Sequence, residues 1–170
     1  RSLGIIFSEG HLEKGEKPVH WCQESGSSLA EAEVEYIDKT SKAIDVAFKV
    51  DHVSLKKLND IFNTEDTDEI SFVIWTTTPW TIPSNVAVCI NPEYKYSLIK
   101  MKNKFYVIAF EMIDQCSKRW KQKFDVVSTI QGEKLNDIEL IHPFLDRKSV
   151  LLHADHVTTE ACFSCDMVCM

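Results

Sequence analysis

Alternation of apolar and polar positions is the strongest regularity in this chain, and it predicts strands more often than helices. In residues 30–36, Ala30, Ala32, Val34 and Tyr36 alternate strictly with Glu31, Glu33 and Glu35. Ala and Glu favour helix by propensity, but a two-residue period puts the four apolar side chains on one face of a strand, so a strand with an acidic outer face is expected. Ile44, Val46, Phe48 and Val50 repeat the pattern. Residues 70–75 are a continuous apolar run of the kind that forms a strand buried on both faces, and residues 86–90 follow as another. Residues 96–101 and 105–109, joined at Lys102-Asn103-Lys104, read as a hairpin. Residues 124–130, 135–141 and 150–152 add further strands, and Pro18 forces extension into a short one at 19–22.

Helical spacing is rarer. Leu3, Ile6 and Phe7 share one face, and Gly10 stands where a C-terminal glycine stop belongs. Ser54 is placed to N-cap a helix burying Leu55, Leu58, Ile61 and Phe62. A third helix, 110–120, turns Met112, Ile113 and Cys116 inward. Many strands, few helices and no βα alternation predict an α+β fold with a strand-rich, barrel-like sheet.

Composition narrows what this fold is for. The 170 residues suffice for one ordinary domain, and 44% hydrophobic with 26% charged residues is globular composition. Lys and Arg number 19 against 26 Asp and Glu, a net charge of −7, which argues against a nucleic-acid binder that relies on bulk charge. A local basic cluster remains at Lys118, Arg119, Lys121 and Lys123. Only five glycines occur, none between Gly26 and Gly132, so neither the dinucleotide fingerprint nor a Walker A loop is present. No apolar run is long enough to span a membrane, and residues 1–10 do not read as a secretory signal. Cys22, Cys89 and Cys116 read as thiols of a reducing compartment. The terminal Cys162, Cys165 and Cys169 have metal-like spacing, but with only His153 and His156 near them no metal site is expected.

One segment stands apart: Trp75-Thr76-Thr77-Thr78-Pro79-Trp80-Thr81-Ile82-Pro83-Ser84-Asn85. Its two prolines forbid regular helix and remove two backbone donors, so the chain is rigid and irregular where a buried strand ends. Hydroxyls, an amide and backbone N–H groups held this way position a water and a carbonyl oxygen without an ionised nucleophile. A strand-end turn whose threonines merely suit β geometry fits the same residues equally well.

This segment, with His20-Trp21-Cys22 and Leu29-Ala30-Glu31-Ala32-Glu33-Val34-Glu35-Tyr36 before it, resembles the bacterial-type isoleucyl-tRNA synthetases around the editing insertion of their catalytic domain. Thr78-Pro79-Trp80-Thr81 follows the isoleucyl pattern, whereas the leucyl and valyl relatives have an arginine after the first threonines. His142-Pro143-Phe144 and Asp155-His156-Val157-Thr158 resemble the path into the next motif. The resemblance implies residues 1–29 as the end of a catalytic segment with a connecting ribbon, 30–161 as a partial editing domain and 162–170 as an unmatched tail. For these synthetases, the standard illustration of the limit, a missing methylene is worth only about 1–3 kcal/mol of discrimination, so valine attached to tRNA for isoleucine is hydrolysed at a second site. By resemblance Thr78 and Asn85 order the water and the ester, while Thr76, Thr77, Thr81 and Trp80 bind the acceptor end. Packing is the expected role of Trp75 and Trp80, and stacking on a base the alternative.

Departures from the family count equally. Relatives continue with a Gly-Thr-Gly turn, a histidine, and a Gly-His-Gly segment whose following aspartate anchors the substrate's amino group; after Ala161 this sequence matches none of it. Ser25 stands where many relatives have the second cysteine of a zinc site. The ATP signatures His-x-Gly-His and Lys-Met-Ser-Lys-Ser are absent, so no cofactor is expected for these residues, ATP and Mg belonging to the intact synthetase. The expected partners are the acceptor end of tRNA for isoleucine and the rest of the synthetase, with no membrane and no DNA. The expected location is the cytoplasm, or an organelle. Alternatives are a non-catalytic module binding the tRNA acceptor end, favoured by the basic cluster, and an unrelated hydrolase built on Cys116, His153 or Asp155, for which no nucleophile-elbow pattern speaks.

Overall fold

A computed structural model describes residues 2–157 except 13, 17, 39, 41, 65 and 66. Thr158 and the cysteines at 162, 165 and 169 lie outside the described residues, as do the expectations attached to them. The chain divides into two compact units, residues 1–40 and 41–170.

In the first unit, helix α1 (Ser2–Ser8) ends at Gly10, whose φ of +76° is the left-handed conformation a glycine stop supplies. Its apolar side chains are all exposed. Strands β1 (Trp21–Cys22) and β2 (Ser27–Ser28) pair antiparallel. The strand expected at 30–36 is not formed. Glu31–Glu33 is instead a 3-10 turn: Glu33 N donates to the Ala30 carbonyl at 2.9 Å and the Glu33 carboxylate accepts from Ala30 N at 2.8 Å. Period-two spacing marks a face but supplies no neighbouring strand, and without a ladder partner the local helical preference of Ala and Glu prevails.

The second unit is built on eight strands: β3 (Ile44–Val50), β4 (Ile70–Thr76), β5 (Ala87–Ile90), β6 (Lys95–Met101), β7 (Lys104–Ala109), β8 (Asp125–Gln131), β9 (Glu139–Ile141) and β10 (Lys148–His153). Their order is β5-β10-β9-β3-β4-β7-β6-β8. The pairs β5–β10 and β4–β7 are parallel and the others antiparallel. The sheet is open, with β5 and β8 as its ends, so the barrel-like expectation reduces to a curled sheet. Val88 and Ile90 of β5 share one core cluster with Phe72, Ile74 and Val107, which the curl brings together. β4 lies inside the sheet with Ile70, Ser71, Phe72, Ile74 and Thr76 buried, as its mostly apolar run leads one to expect.

Helix α2 (His52–Phe62) buries Leu58 and Phe62. Its N-cap is Asp51, whose carboxylate accepts from Val53 N at 3.3 Å, rather than Ser54. Ser54 is buried one turn in, where its Oγ accepts from Glu139 N at 2.9 Å and ties the helix to β9. The strand expected at 135–141 shrinks to β9, because Gly132–Lys134 is a 3-10 turn and Leu135 and Ile138 enter the core from irregular backbone. Helix α3 (Ile113–Trp120) follows a 3-10 turn at Phe110–Met112 and buries Met112 and Cys116. Among the described residues no helix is long and apolar enough to cross a membrane.

Candidate functional site

The threonine segment begins where β4 leaves the core. Thr76, the last strand residue, is 1% exposed. Its Oγ1 accepts from Thr78 N at 3.0 Å, a hydroxyl-closed turn that reverses the chain, and lies 3.1 Å from Thr78 Oγ1. Because Thr76 is enclosed and its oxygen already accepts, the arrangement that uses every group has Thr76 donating to Thr78. The Thr78 hydroxyl proton is then left to donate outward, from a half-buried side chain.

Pro79 opens a 3-10 turn, Pro79–Ser84, and the Thr81 N–H and hydroxyl both donate to the Thr78 carbonyl, at 3.0 and 2.8 Å. The Thr81 oxygen keeps its lone pairs for an incoming donor. Thr77 and Trp80 are exposed, Trp80 at 69%, and the Thr77 hydroxyl has no partner among the described residues. The packing expected of Trp80 is therefore not made within the described residues, whereas Trp75 is half-buried against the core.

Asn85 is placed differently. It is 1% exposed, its Nδ2 donates to the Ala87 carbonyl at 2.8 Å and its Oδ1 accepts from Ser149 Oγ at 2.9 Å. The side chain thus locks the end of the turn onto β10. Two further anchors come from the segment before β10. Arg147 Nη2 donates to the carbonyls of Pro83, at 2.6 Å, and Asn85. His142, 2% exposed, accepts from Leu145 N at 3.1 Å through Nδ1, so its ring proton sits on Nε2, which donates to the Ile82 carbonyl at 2.8 Å. His142-Pro143-Phe144 thereby acquires a structural meaning. Arg147 and Ser149 carried no signal in the sequence, since their partners lie 62 and 64 residues away.

The remaining candidates have other surroundings. A cavity of about 530 Å³ opens at the start of β4, lined by residues including Glu69, Lys100 and Phe105, with none from the threonine loop. The Lys49 ammonium, 2.8 Å away, holds the Glu69 carboxyl below its usual range. Cys116 is enclosed, and burial pushes its thiol up, the opposite of an activated nucleophile. His153 Nε2 lies 3.1 Å from the carbonyls of Gly132 and Leu135. At the β1–β2 turn Ser25 N donates to Cys22 Sγ at 3.5 Å, while Ser25 Oγ pairs with Ser27 Oγ at 3.0 Å. One thiol and a hydroxyl already engaged do not fit the thiolate pair of a zinc knuckle.

Comparison with known proteins gives this loop a context. The family model for class I tRNA synthetases (I, L, M and V) matches residues 1–139. The chain belongs to the class I tRNA synthetases. It is 47% identical over 167 residues to the isoleucine–tRNA ligase of Thioalkalivibrio sulfidiphilus, covering 97% of this chain and 18% of that protein. The corresponding ligase of Francisella tularensis subsp. novicida is 45% identical over 163 residues, covering 95% of this chain and 17% of the ligase. The chain therefore spans less than a fifth of the length of these curated relatives. Among solved structures, the editing domain of the Plasmodium knowlesi cytosolic leucyl-tRNA synthetase superposes with a TM-score of 0.59 at 12% identity, covering 74% of this chain and 57% of that one. At that identity the likeness establishes the fold, that of a synthetase editing domain.

Proposed function

We propose that the threonine loop is one side of an editing site that hydrolyses valine from tRNA for isoleucine, within a protein that also attaches isoleucine. The observation that carries this is the division of labour in the loop. Arg147 and His142 hold its backbone through the Pro83, Asn85 and Ile82 carbonyls, Ser149 holds the Asn85 amide, and Thr77 and Trp80 are exposed beside the half-buried Thr78 and Thr81.

The chemistry needs no ionised nucleophile. A donor at Thr78 polarises the ester carbonyl and stabilises the oxyanion that forms when water attacks. An acceptor at Thr81 orients that water, and fixing both on one turn supplies the proximity term. Thr77 and Trp80 meet the terminal nucleoside, the indole by stacking. Asn85 acts as a positioning residue, because its amide is consumed in holding the loop. The ATP signatures of the activation step do not occur in these residues, and no step here uses them.

The substrate's ammonium needs a carboxylate that, by family resemblance, follows the Gly-His-Gly segment absent from this sequence. An unpaired ammonium in a partly desolvated pocket costs several kcal/mol, each 1.4 of which is about tenfold in rate. The 170-residue chain is thus expected to release labelled valine from mischarged tRNA at the buffer rate. The same chain continued with that segment from a relative is expected to turn over. Turnover by neither form would contradict the proposal.

A further inference from the structure

Two hydrogen bonds converge on the Ile82 carbonyl. Asn85 N–H donates to it at 2.9 Å from within the turn, and His142 Nε2–H at 2.8 Å from 60 residues away. Both lone pairs of that oxygen are therefore used. Pro83 removes the N–H of the same peptide, so this carbonyl is the one polar handle by which the 82–83 peptide plane can be held. Arg147 and Ser149 grip further along, at Pro83 and Asn85. His142 is thus the anchor nearest in sequence to Thr81, whose own N–H and hydroxyl bind the Thr78 carbonyl. Only Ile82, packed in the core, stands between the imidazole's grip and the threonines to which hydrolysis is assigned.

The ring has no alternative arrangement of equal quality. Phe144 meets it edge-on at 4.7 Å, and Phe48, a fully buried residue of β3, meets it edge-on at 6.1 Å. Nδ1 accepts from Leu145 N at 3.1 Å and lies 3.4 Å from Phe144 N, so both neighbours at that end are donors. The other tautomer would set N–H against N–H there and a bare nitrogen against the Ile82 oxygen. A ring flipped about Cβ–Cγ would offer C–H groups in both places. Packing and both hydrogen-bonding ends therefore fix one orientation and one tautomer.

We infer that His142 is a positioning residue for hydrolysis: its Nε2–H sets the Ile82 carbonyl, and through it the spacing of Thr78 and Thr81. The inference rests on the editing proposal for the reaction itself. His142 takes and gives no proton in the reaction, since both ring nitrogens are committed and the side chain is 2% exposed. What the loop requires is a donor at the Nε2 position. Holding the two threonines in register acts on the step in which water attacks, so the effect belongs to kcat. Contact of the nucleoside with the exposed Thr77 and Trp80 does not pass through this bond, so KM is left alone.

The test compares His142→Gln with His142→Asn. A glutamine amide nitrogen reaches where Nε2 stands, whereas an asparagine amide oxygen stands where Nδ1 does. Each variant keeps one of the two roles, and only glutamine keeps the donor. In the 170-residue chain, hydrogen exchange of the Thr81 and Asn85 N–H groups reads the turn without any chemistry. His142→Asn is expected to speed it about tenfold with the β6 amides unchanged, and His142→Gln to leave it within about twofold. In the chain continued with the downstream segment of a relative, His142→Asn is expected to lower kcat for valine release about 10–100-fold at unchanged KM, with His142→Gln restoring most of it. Equal loss in the two variants, a loss carried by KM, or full activity in His142→Asn would overturn the inference. Absence of turnover by the unaltered continued chain would contradict the editing reading instead, with the exchange rates still reporting the bond. Should a variant unfold, the ring 15N resonances of the unaltered 170-residue chain decide: a proton on Nε2 with Nδ1 bare is expected, and a proton on Nδ1 would overturn the assignment.

Discussion

Replacing Asn85 by alanine separates a residue that holds the threonine loop from one that touches substrate. The amide is 1% exposed and its two partners, the Ala87 carbonyl at 2.8 Å and Ser149 Oγ at 2.9 Å, belong to residues that are 4% and 0% exposed. Truncation deletes two neutral hydrogen bonds, each worth about 1 kcal/mol net, and strands two polar groups that water cannot easily reach, at about 1–3 kcal/mol each. Ser149 can turn its hydroxyl elsewhere, so the expected loss is about 2–4 kcal/mol, or roughly 10 °C in melting temperature for a chain of this size. Urea unfolding followed by tryptophan fluorescence reads it as a lowered midpoint at constant slope. Because Ser149→Ala deletes the same bond from its other end, a double-mutant cycle is expected to show coupling of about 1 kcal/mol. A change below about 0.5 kcal/mol with no coupling would mean that the amide is free to face a ligand, and the positioning role would be refuted.

Two further outcomes follow from the core. A Cβ on Gly132 would lie 2.4 Å from the Asn91 carbonyl oxygen and 2.9 Å from Tyr96 Cε2, so Gly132→Ala is expected to cost about 2–3 kcal/mol in urea unfolding, and a neutral effect would show that the 92–96 turn yields freely. Tyr96, buried and accepting from Asn91 N at 3.0 Å, has its phenol pushed up to about 12 by burial. The unfolded phenol ionises near 10, so between these values the unfolded chain sheds a proton that the native state keeps. Stability from this group is complete below pH 10 and falls as pH rises towards 12, by about 1.4 kcal/mol at pH 11. Tyr96→Phe is expected to remove that component from the pH profile, and an identical profile would contradict the burial effect.

Much of the sheet was legible because burial leaves a periodic trace. Ile44 to Val50 alternate along β3, and β4 has the mostly apolar run of an interior strand, broken by Ser71 alone before Thr76. What the pattern could not supply was the partner. Residues 30–36 have strand spacing with no strand beside them, and Leu135 and Ile138 reach the core from a turn. The choice between Asp51 and Ser54 as helix cap was decided by Glu139, whose N–H takes the Ser54 hydroxyl as its acceptor from 85 residues away. The threonine loop stood out because its prolines and hydroxyls are local chemistry. Its anchors did not, since a lone Arg147 in a polar stretch gives no hint that it reaches two carbonyls on the loop.

The most direct measurement is valine release from mischarged tRNA for isoleucine by the chain continued with the downstream segment of a relative, comparing Thr78→Val with Thr78→Ser. Valine keeps the shape of the side chain and removes the outward donor, while serine keeps the donor. Loss of one oxyanion-type donor is expected to slow hydrolysis about 10²–10³-fold in the valine variant, with serine retaining most of the activity. Equal turnover by Thr78→Val and the unaltered loop would contradict hydrolysis by this hydroxyl.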